Sequence, residues 1–549
     1  MNGKTLSGEF PGLPSGVVNI GGVSVGSGHP VRIQSMTNTN TRDVSATTAQ
    51  CIRAFEAGAD LMRISVPDRQ SVEALKKIRK ALHDAGFNQP LIADIHFKPT
   101  LAEAAAKIAD KVRINPGNFI SAAERDTLSS STQQQSGHLE SVSRHLRPLV
   151  SICKDHGTAI RIGTNAGSLP PHIISAYGYG AEALVNSANE YLGVFEALDF
   201  NNLIVSLKAS DPLQTIYAHL LMADGMLKSS RVYPMHIGVT EAGEGMSGRI
   251  RSALGIITLL QAGIGDTLRV SLTEDPVHEI RFARKILSHL STTLTETSNG
   301  QAYADKRHKR EALLSCLKIK HRAERQAARC EKPAQHTDSD YGRAFVVASK
   351  EGLPEDLAKH VVEPLQAGSK QQVGKLSPGL ENQDAAKILK GTCEASDIEK
   401  LMIALTADSG IPLLLGHING LWISTPALPD ASASAKVALQ LLQATGRYFS
   451  ETSFISCPGC ARTTLDMVPI IKTLKKELSG FPELKIAVMG CLVNGPGEMK
   501  GADYGLLGTA KGKIHIFRGA TPIQKNLEPE IATKTLEEII RKRYKKTKE

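Results

Sequence analysis

The sequence predicts an α/β protein built around an N-terminal (β/α)8 TIM barrel. Three observations support this prediction: short β-branched runs recur through the first 290 residues, helix-like segments separate them, and the runs number eight. Parallel strands need long crossover connections, so this alternation indicates a parallel sheet. Eight such units in roughly 260 residues match the size of a TIM barrel. An open doubly wound sheet is the alternative, but it gives no reason for stopping at eight units.

The eight predicted strands are taken in chain order. They are 31–37, 59–66, 90–97, 111–117, 159–165, 202–210, 233–243 and 266–273. After the second strand, apolar residues recur every three or four positions from Val72 to Leu82, and Gly86 then ends the predicted helix. Before the first strand, residues 16–28 predict a small hairpin that covers the bottom of the barrel.

Changes in composition divide the chain into four parts. We expect a substrate-binding barrel over 1–290, a polar and basic linker over 291–345, an inserted α/β domain without a metal centre over 346–445, and a cysteine-bearing α/β domain over 446–549. In the insert, the patterns predict helices over 385–391, 397–410 and 434–446 and strands over 411–420 and 421–426. In the last part they predict strands over 453–456 and 485–490, a helix between them with Leu465, Val468, Ile471 and Leu474 on one stripe, and a hairpin that turns at 511–512.

Composition and charge exclude several classes of protein. Hydrophobic residues make up 41% of the 549 residues, too many for a disordered chain. No apolar stretch approaches the ~20 residues of a membrane helix. The net charge of +10 is concentrated in 304–332, which we interpret as a solvated linker or helix face rather than a nucleic-acid site. Eight cysteines in so long a chain do not form a secreted disulfide scaffold, so we expect a cytoplasmic protein.

Three cysteines follow predicted strands in glycine-rich turns. They are Cys457 and Cys460 in SCPGC, and Cys491 in MGCLVNGPGE. Two thiolates separated by two residues can grip one inorganic centre, and a distant third completes the set. Glu498 is a candidate fourth ligand, since a carboxylate is harder and more labile than a thiolate. The spacing favours a [4Fe–4S] cluster, and a structural zinc ion or a metal-free thiol pair are the alternatives.

Polar residues that end the barrel strands form the second candidate site. The active sites of TIM barrels lie at the carboxyl ends of the strands. Five cations there would be costly to bury without an anionic partner, so we predict a phosphate-binding pocket. Asp94 and His96 share one side of their strand, but two ligands are too few for a metal site. The candidate residues are Arg63, Asp94, His96, Arg113, Asn115, Arg161, Asn165, Lys208, His236, Glu241, Arg269 and Ser271, joined by Arg462 and Asn494 beside the cysteines.

At this point a family resemblance becomes visible. The segments FISCPGCARTTLD and MGCLVNGPGE resemble the iron–sulfur domain of the 4-hydroxy-3-methylbut-2-enyl diphosphate synthase family, also called IspG or GcpE. In the N-terminal half, VRIQSMTNTNTRDV, IADIHF, VRINPGN and IRIGTNAGSL resemble the barrel motifs of the same family, in the same order. The resemblance covers roughly residues 16–285 and 446–520, and the intervening segment resembles the longer three-domain form.

The resemblance implies a fold and an activity. The C-terminal domain would be sulfite/nitrite-reductase-like, and Cys457, Cys460, Cys491 and Glu498 would hold a [4Fe–4S] cluster. The family is an oxidoreductase of the non-mevalonate (MEP) isoprenoid pathway that reductively opens and dehydrates 2-C-methyl-D-erythritol 2,4-cyclodiphosphate. Flavodoxin or ferredoxin would supply the electrons, to a monomer or a homodimer. The resemblance also implies that Asp94 and His96 position the substrate.

Two other classes of protein remain as alternatives. A different barrel enzyme, such as a pterin-dependent synthase, shares anion-binding strand ends but gives no reason for the three cysteines. A non-catalytic iron–sulfur scaffold would not need a cation-lined barrel mouth.

Overall fold

A computed structural model describes the chain over 12–120, 134–294, 305–318, 346–348, 361–362, 388–425, 427–428, 431–463, 465–482, 484–509 and 512–545. The first part is the predicted barrel, a parallel sheet in the order β8-β7-β6-β5-β4-β3-β10-β9. An isolated parallel pairing of Val205 in β8 with Met235, next to β9, brings the two ends of the sheet together. Its strands are β3 (Arg32–Met36), β4 (Leu61–Ser65), β5 (Leu91–Asp94), β6 (Lys111–Ile114), β7 (Ala159–Asn165), β8 (Leu203–Lys208), β9 (His236–Ile237) and β10 (Thr267–Leu268).

Amphipathic helices cover the outside of the barrel. The apolar stripe predicted from Val72 to Leu82 is buried against it, and Asp68 caps that helix by accepting a hydrogen bond from the Ser71 amide. The predicted barrel is therefore confirmed. The helices are α1 (Val44–Glu56), α2 (Arg69–Asp84), α3 (Pro99–Ala106), α4 (Gln134–His156), α5 (Pro171–Tyr177), α6 (Ala181–Ala197), α7 (Pro212–Lys228), α8 (Gly245–Gln261) and α9 (Pro276–Leu294).

The predicted N-terminal hairpin lies where the sequence placed it. Its antiparallel strands are β1 (Val18–Ile20) and β2 (Val23–Val25). Val18, Ile20 and Val25 pack in one cluster with residues at the amino-terminal starts of the barrel strands, including Leu61 and Ile92. The hairpin therefore closes the bottom of the barrel, and the opposite end is left for the site.

Part of the segment expected to be a linker is a helix. Residues 305–318, called α10, are helical, and Leu313, Leu314 and Leu317 are buried in the main core. Lys306 and Arg310, which begin the basic stretch, are only 4% and 8% exposed. These two residues therefore pack against the barrel, whereas Arg307 on the other side of the same helix is 65% exposed, as expected of a solvated helix face. The remainder of the basic stretch, 319–332, lies outside the described residues.

The inserted part contains a parallel sheet in the order β11-β14-β13-β12. Two predictions here are wrong. Residues 388–391, expected to be helical, belong to a strand because they pair with the strand beginning at Gly420. Residues 411–415, expected to be a strand, complete a helix, since a short buried apolar run does not distinguish the two states. The elements are β11 (Val346–Ala348), β12 (Val361–Val362), β13 (Ile388–Thr392), α11 (Ile398–Leu415), β14 (Gly420–Ser424) and α12 (Ala431–Ala444), and both helices pack on α8.

The last part is a five-stranded mixed sheet in the order β15-β16-β17-β18-β19. The first three strands are parallel and the last two antiparallel, which confirms the predicted strands and hairpin. The predicted helix begins only at Met467, so Leu465 precedes it, and Val468 is 49% exposed instead of buried. The elements are β15 (Ser453–Ser456), α13 (Met467–Leu478), β16 (Lys485–Met489), α14 (Gly495–Met499), β17 (Tyr504–Gly508), β18 (Ile514–Arg518), β19 (Thr521–Leu527) and α15 (Pro529–Lys545).

The C-terminal sheet lies against the open end of the barrel of the same chain. A parallel bridge joins Ala242, after β9, to Ser456 at the end of β15. The hydroxyls of Thr273 and Ser456 are hydrogen-bonded at 2.7 Å. The buried guanidinium of Arg251 donates to the Phe454 carbonyl at 3.0 Å. The two domains therefore enclose a common space. Among the described residues, no helix combines the length and the hydrophobicity that crossing a membrane would require.

Candidate functional site

A cavity lies between the barrel mouth and the cysteine-bearing turns. Residues in or just after all eight barrel strands meet residues from the turns after β15 and β16 there. Fifteen of the eighteen predicted site residues line it, and Glu498 lies beside it. The fifteen are Arg63, Asp94, His96, Arg113, Arg161, Asn165, Lys208, Glu241, Arg269, Ser271, Cys457, Cys460, Arg462, Cys491 and Asn494.

Asp94 is the centre of a hydrogen-bonded network in this cavity. Arg113 donates to its Oδ1 at 3.2 Å, and Arg462 donates from the other domain to its Oδ2 at 2.8 Å. Although burial acts in the opposite direction, the nearby guanidiniums of Arg63 and Arg113 hold the pKa of Asp94 well below its usual range. Asp94 is therefore an anion that joins the two domains.

His96 is a neutral partner in the same network. Burial, followed by the positive charge of Arg462, lowers the pKa of His96 to about 3. Its Nε2 lies 2.7 Å from Nη1 of Arg113, which can only donate, so Nε2 accepts. Its Nδ1 lies 2.9 Å from the side-chain amide of Asn118. The imidazole therefore holds Arg113 in place, which agrees with a positioning role and not with metal binding.

The cations outnumber the carboxylates that face them. Buried guanidinium nitrogens without a hydrogen-bond partner include Nε of Arg113, Nε and Nη2 of Arg161, and Nε and Nη1 of Arg462. Burial and mutual repulsion lower the pKa of Arg63 to about 9 and that of Lys208 well below its ordinary value. Buried donors of this kind are stabilised by an anion that accepts their hydrogen bonds.

Arg269 differs from the other cations because it already has a partner. It donates to both carboxylate oxygens of the buried Glu279, at 3.3 and 3.2 Å. Glu279 in turn accepts from Ser35 and from the Leu272 amide. Arg269 therefore contributes a fixed positive charge to the cavity wall rather than free donors.

The three cysteines line the opposite wall. The amide of Gly490 donates to Sγ of Cys457 at 3.3 Å, and Gly459 between the first two cysteines has a φ of +78°, which favours glycine. A hydrogen bond from Cys491, together with the charge of Arg462, lowers the pKa of Cys460 well below its ordinary value. Among the described residues, the three Sγ atoms do not all lie within 4.8 Å of one another.

Glu498 lies at the start of α14, buried beside Glu241 and Ser210. Ser210 donates to its Oε2 at 2.8 Å, and its Oε1 is buried without a partner. Burial and the neighbouring Glu498 carboxyl raise the pKa of Glu241 well above its ordinary value. Glu241 also has a φ of +54°, a strained conformation for a residue with a side chain.

The donor set fits a sulfur-ligated metal group. Three thiols and the unpartnered Glu498 oxygen belong to one pair of turns, and a backbone amide already donates to one sulfur. Thiolates are the usual ligands of iron–sulfur clusters, and structural zinc sites share the same preference for sulfur.

Two residues predicted for the substrate site do not line the cavity. His236 is a core residue whose Nδ1 bonds the Thr267 hydroxyl at 2.7 Å. Asn115 shapes its own loop by bonding the Ser168 hydroxyl and the Gly117 amide.

Two polar residues that interact with site residues were not predicted from the sequence. Ser210, which holds Glu498, carried no signal other than its place just after β8. Lys111 is a fully buried cation at the start of β6, and burial lowers its pKa well below the ordinary value. Lys111 could not be distinguished in the sequence from other lysines that begin a strand, because the pattern does not show which of them points into the barrel.

The fold and site define a barrel enzyme for a small anionic substrate, with a thiol-lined second domain over its active site. Residues 15–284 match the family model described as the GcpE TIM-barrel domain, and residues 453–542 match the GcpE protein C-terminal domain. The chain therefore belongs to the GcpE family.

Curated relatives match almost the whole chain. The proteins from Parabacteroides distasonis and Porphyromonas gingivalis are 34% and 35% identical to it, and the alignments cover 96% of this chain and 97% and 96% of theirs. Both are named 4-hydroxy-3-methylbut-2-en-1-yl diphosphate synthase (flavodoxin). A solved dihydropteroate synthase from Xanthomonas albilineans is 15% identical over 51% of this chain and 98% of its own, with a TM-score of 0.33.

Proposed function

We propose that this chain is a 4-hydroxy-3-methylbut-2-en-1-yl diphosphate synthase. It would take two electrons and two protons, open the ring of 2-C-methyl-D-erythritol 2,4-cyclodiphosphate and release one hydroxyl as water. The observation that carries the proposal is the shared cavity, in which unpartnered arginine donors face three thiols. The family membership and the names of the curated relatives support the same activity.

The barrel cations would bind the diphosphate. Arg113, Arg161 and Arg462 have free guanidinium nitrogens that match phosphate oxygens, and Lys208 adds a point charge. Arg63 and Arg269 would complete the positive field. Asn165, Ser271 and Asn494 line the same space with groups that hydrogen-bond hydroxyls. We thus assign substrate binding to residues 1–290 and redox chemistry to residues 446–549.

The thiol wall would hold a [4Fe–4S] cluster through Cys457, Cys460, Cys491 and Glu498. When bound, such a cluster supplies electrons one at a time and a Lewis-acidic iron. The residues of the chain do the remaining work. Arg462 holds the two domains together through Asp94, and Ser210 holds Glu498. The cover that the second domain places over the barrel mouth excludes water from the bound substrate.

The electron donor would be a flavodoxin, which the names of the curated relatives specify for those proteins, with ferredoxin as the alternative. All seven described cysteines are free thiols, which supports a cytoplasmic enzyme. Because one chain supplies both walls of the cavity, we propose that the monomer is a complete catalytic unit even where it forms a homodimer. The insert 346–445 would act as the spacer that makes this closure possible, without a cluster of its own.

Anaerobic turnover tests this function directly. The purified protein is mixed with a chemical reductant and the cyclodiphosphate, and the products are identified by mass spectrometry. The proposal predicts 4-hydroxy-3-methylbut-2-enyl diphosphate from the wild type and none from a Cys491→Ser variant. Unchanged cyclodiphosphate in the wild-type reaction, with the cluster present, would contradict the proposed activity.

A further inference from the structure

Three side chains of types that can bind a metal ion meet on the outer helices of the barrel, away from the cavity. They are His138 in α4, His172 in α5 and Glu190 in α6. Their ligand atoms all lie within 4.8 Å of one another, and no other group of three or more His, Cys, Asp or Glu among the described residues does so. We propose that these three residues form a zinc-type metal site, which is independent of the proposed cluster.

The spacing of the ligand atoms fits one ion. Nε2 of His172 lies 3.0 Å from both carboxylate oxygens of Glu190, and Nε2 of His138 lies 3.7 Å from Oε2. Two ligands of one tetrahedral zinc ion lie about 3.3 Å apart, given bonds of ~2.0–2.1 Å. The distances from the two histidines to Glu190 are therefore within about 0.4 Å of the spacing that zinc requires.

The chemistry of the three ligands selects the kind of metal. Two imidazole nitrogens and one carboxylate favour zinc and other divalent transition ions over magnesium or calcium, which prefer oxygen ligands. The rings of His138 and His172 lie with their centroids 4.4 Å apart, so the Nε2 atom of each ring reaches the same carboxylate. Three protein ligands leave a fourth position for water.

The site is buried on one side and open to solvent on the other. The side chains of His138 and Glu190 are 6% and 10% exposed, and that of His172 is 30% exposed. Solvent therefore reaches the site from the His172 side, while the other two ligands are held within the helix packing. An ion held here would tie α5 to α4 and α6.

Helix α5 leads directly to the interface between the domains. Two residues after it, Tyr179 contacts Lys500 of the C-terminal domain, whose ammonium lies 4.4 Å from the ring centroid. Just before α5, the short 3-10 helix Ala166–Ser168 packs against α14. Zinc would therefore stiffen the segment of the barrel wall that supports the closed arrangement.

The test is zinc content in the cluster-loaded protein, because its cluster cysteines are then occupied. Wild type, His172→Ala and Glu190→Gln are dialysed anaerobically against buffered micromolar free zinc and assayed by elemental analysis. The exposed His83 in α2 supplies the matched control His83→Ala. Mutation of a residue that only hydrogen-bonds a metal ligand typically lowers metal affinity ~10–100-fold, so loss of a direct ligand should lower zinc affinity by more than this.

The proposal predicts one zinc per chain in wild type and His83→Ala, and none in the other two variants. X-ray absorption at the zinc edge should show imidazole ligands and no sulfur. Glu190→Gln keeps a hydrogen-bonding side chain at the site, so it still decides the question if His172→Ala does not fold. No zinc in the wild type, equal zinc in Glu190→Gln, or sulfur ligands would each overturn the proposal. None of these outcomes depends on turnover.

Discussion

Arg462 in the C-terminal domain donates a hydrogen bond to Asp94 in the barrel of the same chain, over 2.8 Å. The two residues are separated by 368 positions in the sequence, and the side chain of Asp94 is only 1% exposed. The contact joins the thiol wall of the cavity to its cationic wall. It therefore provides a direct way to test whether closure within one chain matters.

Breaking this hydrogen bond should lower kcat/KM, although it is a single contact. Removing one partner of a buried ion pair leaves the other uncompensated. In a double-mutant cycle with Arg462→Ala and Asp94→Asn, we expect a coupling energy of about 1–3 kcal/mol, or roughly 5–150-fold in kcat/KM. Arg541→Ala, which breaks a half-exposed ion pair with Glu477 inside the C-terminal domain, is the control and should change kcat/KM little. Strictly additive losses would show that the contact is not functional.

A glycine at the domain interface gives a steric test of closure. A Cβ on Gly497 would lie 2.0 Å from the carbonyl oxygen of Gly167 in the barrel. Gly497→Ala should therefore separate the domains, increase the radius of gyration measured by small-angle scattering and abolish most turnover. Gly480→Ala, where a Cβ would meet nothing within 4 Å, is the matched control. An unchanged scattering profile with normal activity in Gly497→Ala would contradict closure in solution.

Glu498 should matter for turnover more than for cluster content. An amide cannot replace the carboxylate as an anionic ligand, while three thiolates remain to hold the iron. Glu498→Gln should keep most of its iron and sulfide and lose about 100-fold or more in kcat. The exposed Glu528→Gln in the same domain serves as the control. Near-normal turnover in Glu498→Gln would remove Glu498 from the mechanism.

Acid stability should depend on a histidine far from the cysteines. Burial lowers the pKa of His219 in α7 to about 4, against 6.5 in the unfolded chain. The unfolded state therefore binds the proton more tightly, and stability is lost as the pH falls from about 6.5 towards 4. This residue should contribute a slope of ~1.4 kcal/mol per pH unit near pH 5.

The measurement is the free energy of unfolding against pH, followed by circular dichroism. His219→Asn should make the slope shallower, while His83→Asn on the exposed face of α2 should leave it unchanged. Parallel curves for wild type and His219→Asn would show that His219 does not control acid stability.

The barrel could be predicted because its signal is local and repeated eight times. The secondary structure of the insert was harder to predict. The apolar run 411–415 fits either a buried strand or a buried helix, and its packing in the folded chain makes it helical. Val468 was placed on the wrong face because the predicted stripe advanced by three residues at every step, and each such step drifts by about 60° around a helix of 3.6 residues per turn. The buried face of the helix, which includes Met467, Ile471 and Leu474, mixes steps of three and four residues.

For the site, too, local features could be predicted from the sequence and long-range contacts could not. Strand ends and cysteine turns are visible in the sequence, so fifteen lining residues could be listed before their geometry was known. The partners that hold them are not visible, because they come from distant segments. Ser210 beside Glu498 and Glu279 beside Arg269 carry no motif, and only the folded chain brings them together.

The central claim is that three cysteines hold an iron–sulfur cluster over a phosphate-binding barrel. The most direct test is the content of iron and acid-labile sulfide in protein purified without oxygen. The account predicts about four irons and four sulfides per chain. Protein that contains zinc at the cysteines but no sulfide would contradict the redox function and leave Cys457, Cys460 and Cys491 as a structural clip.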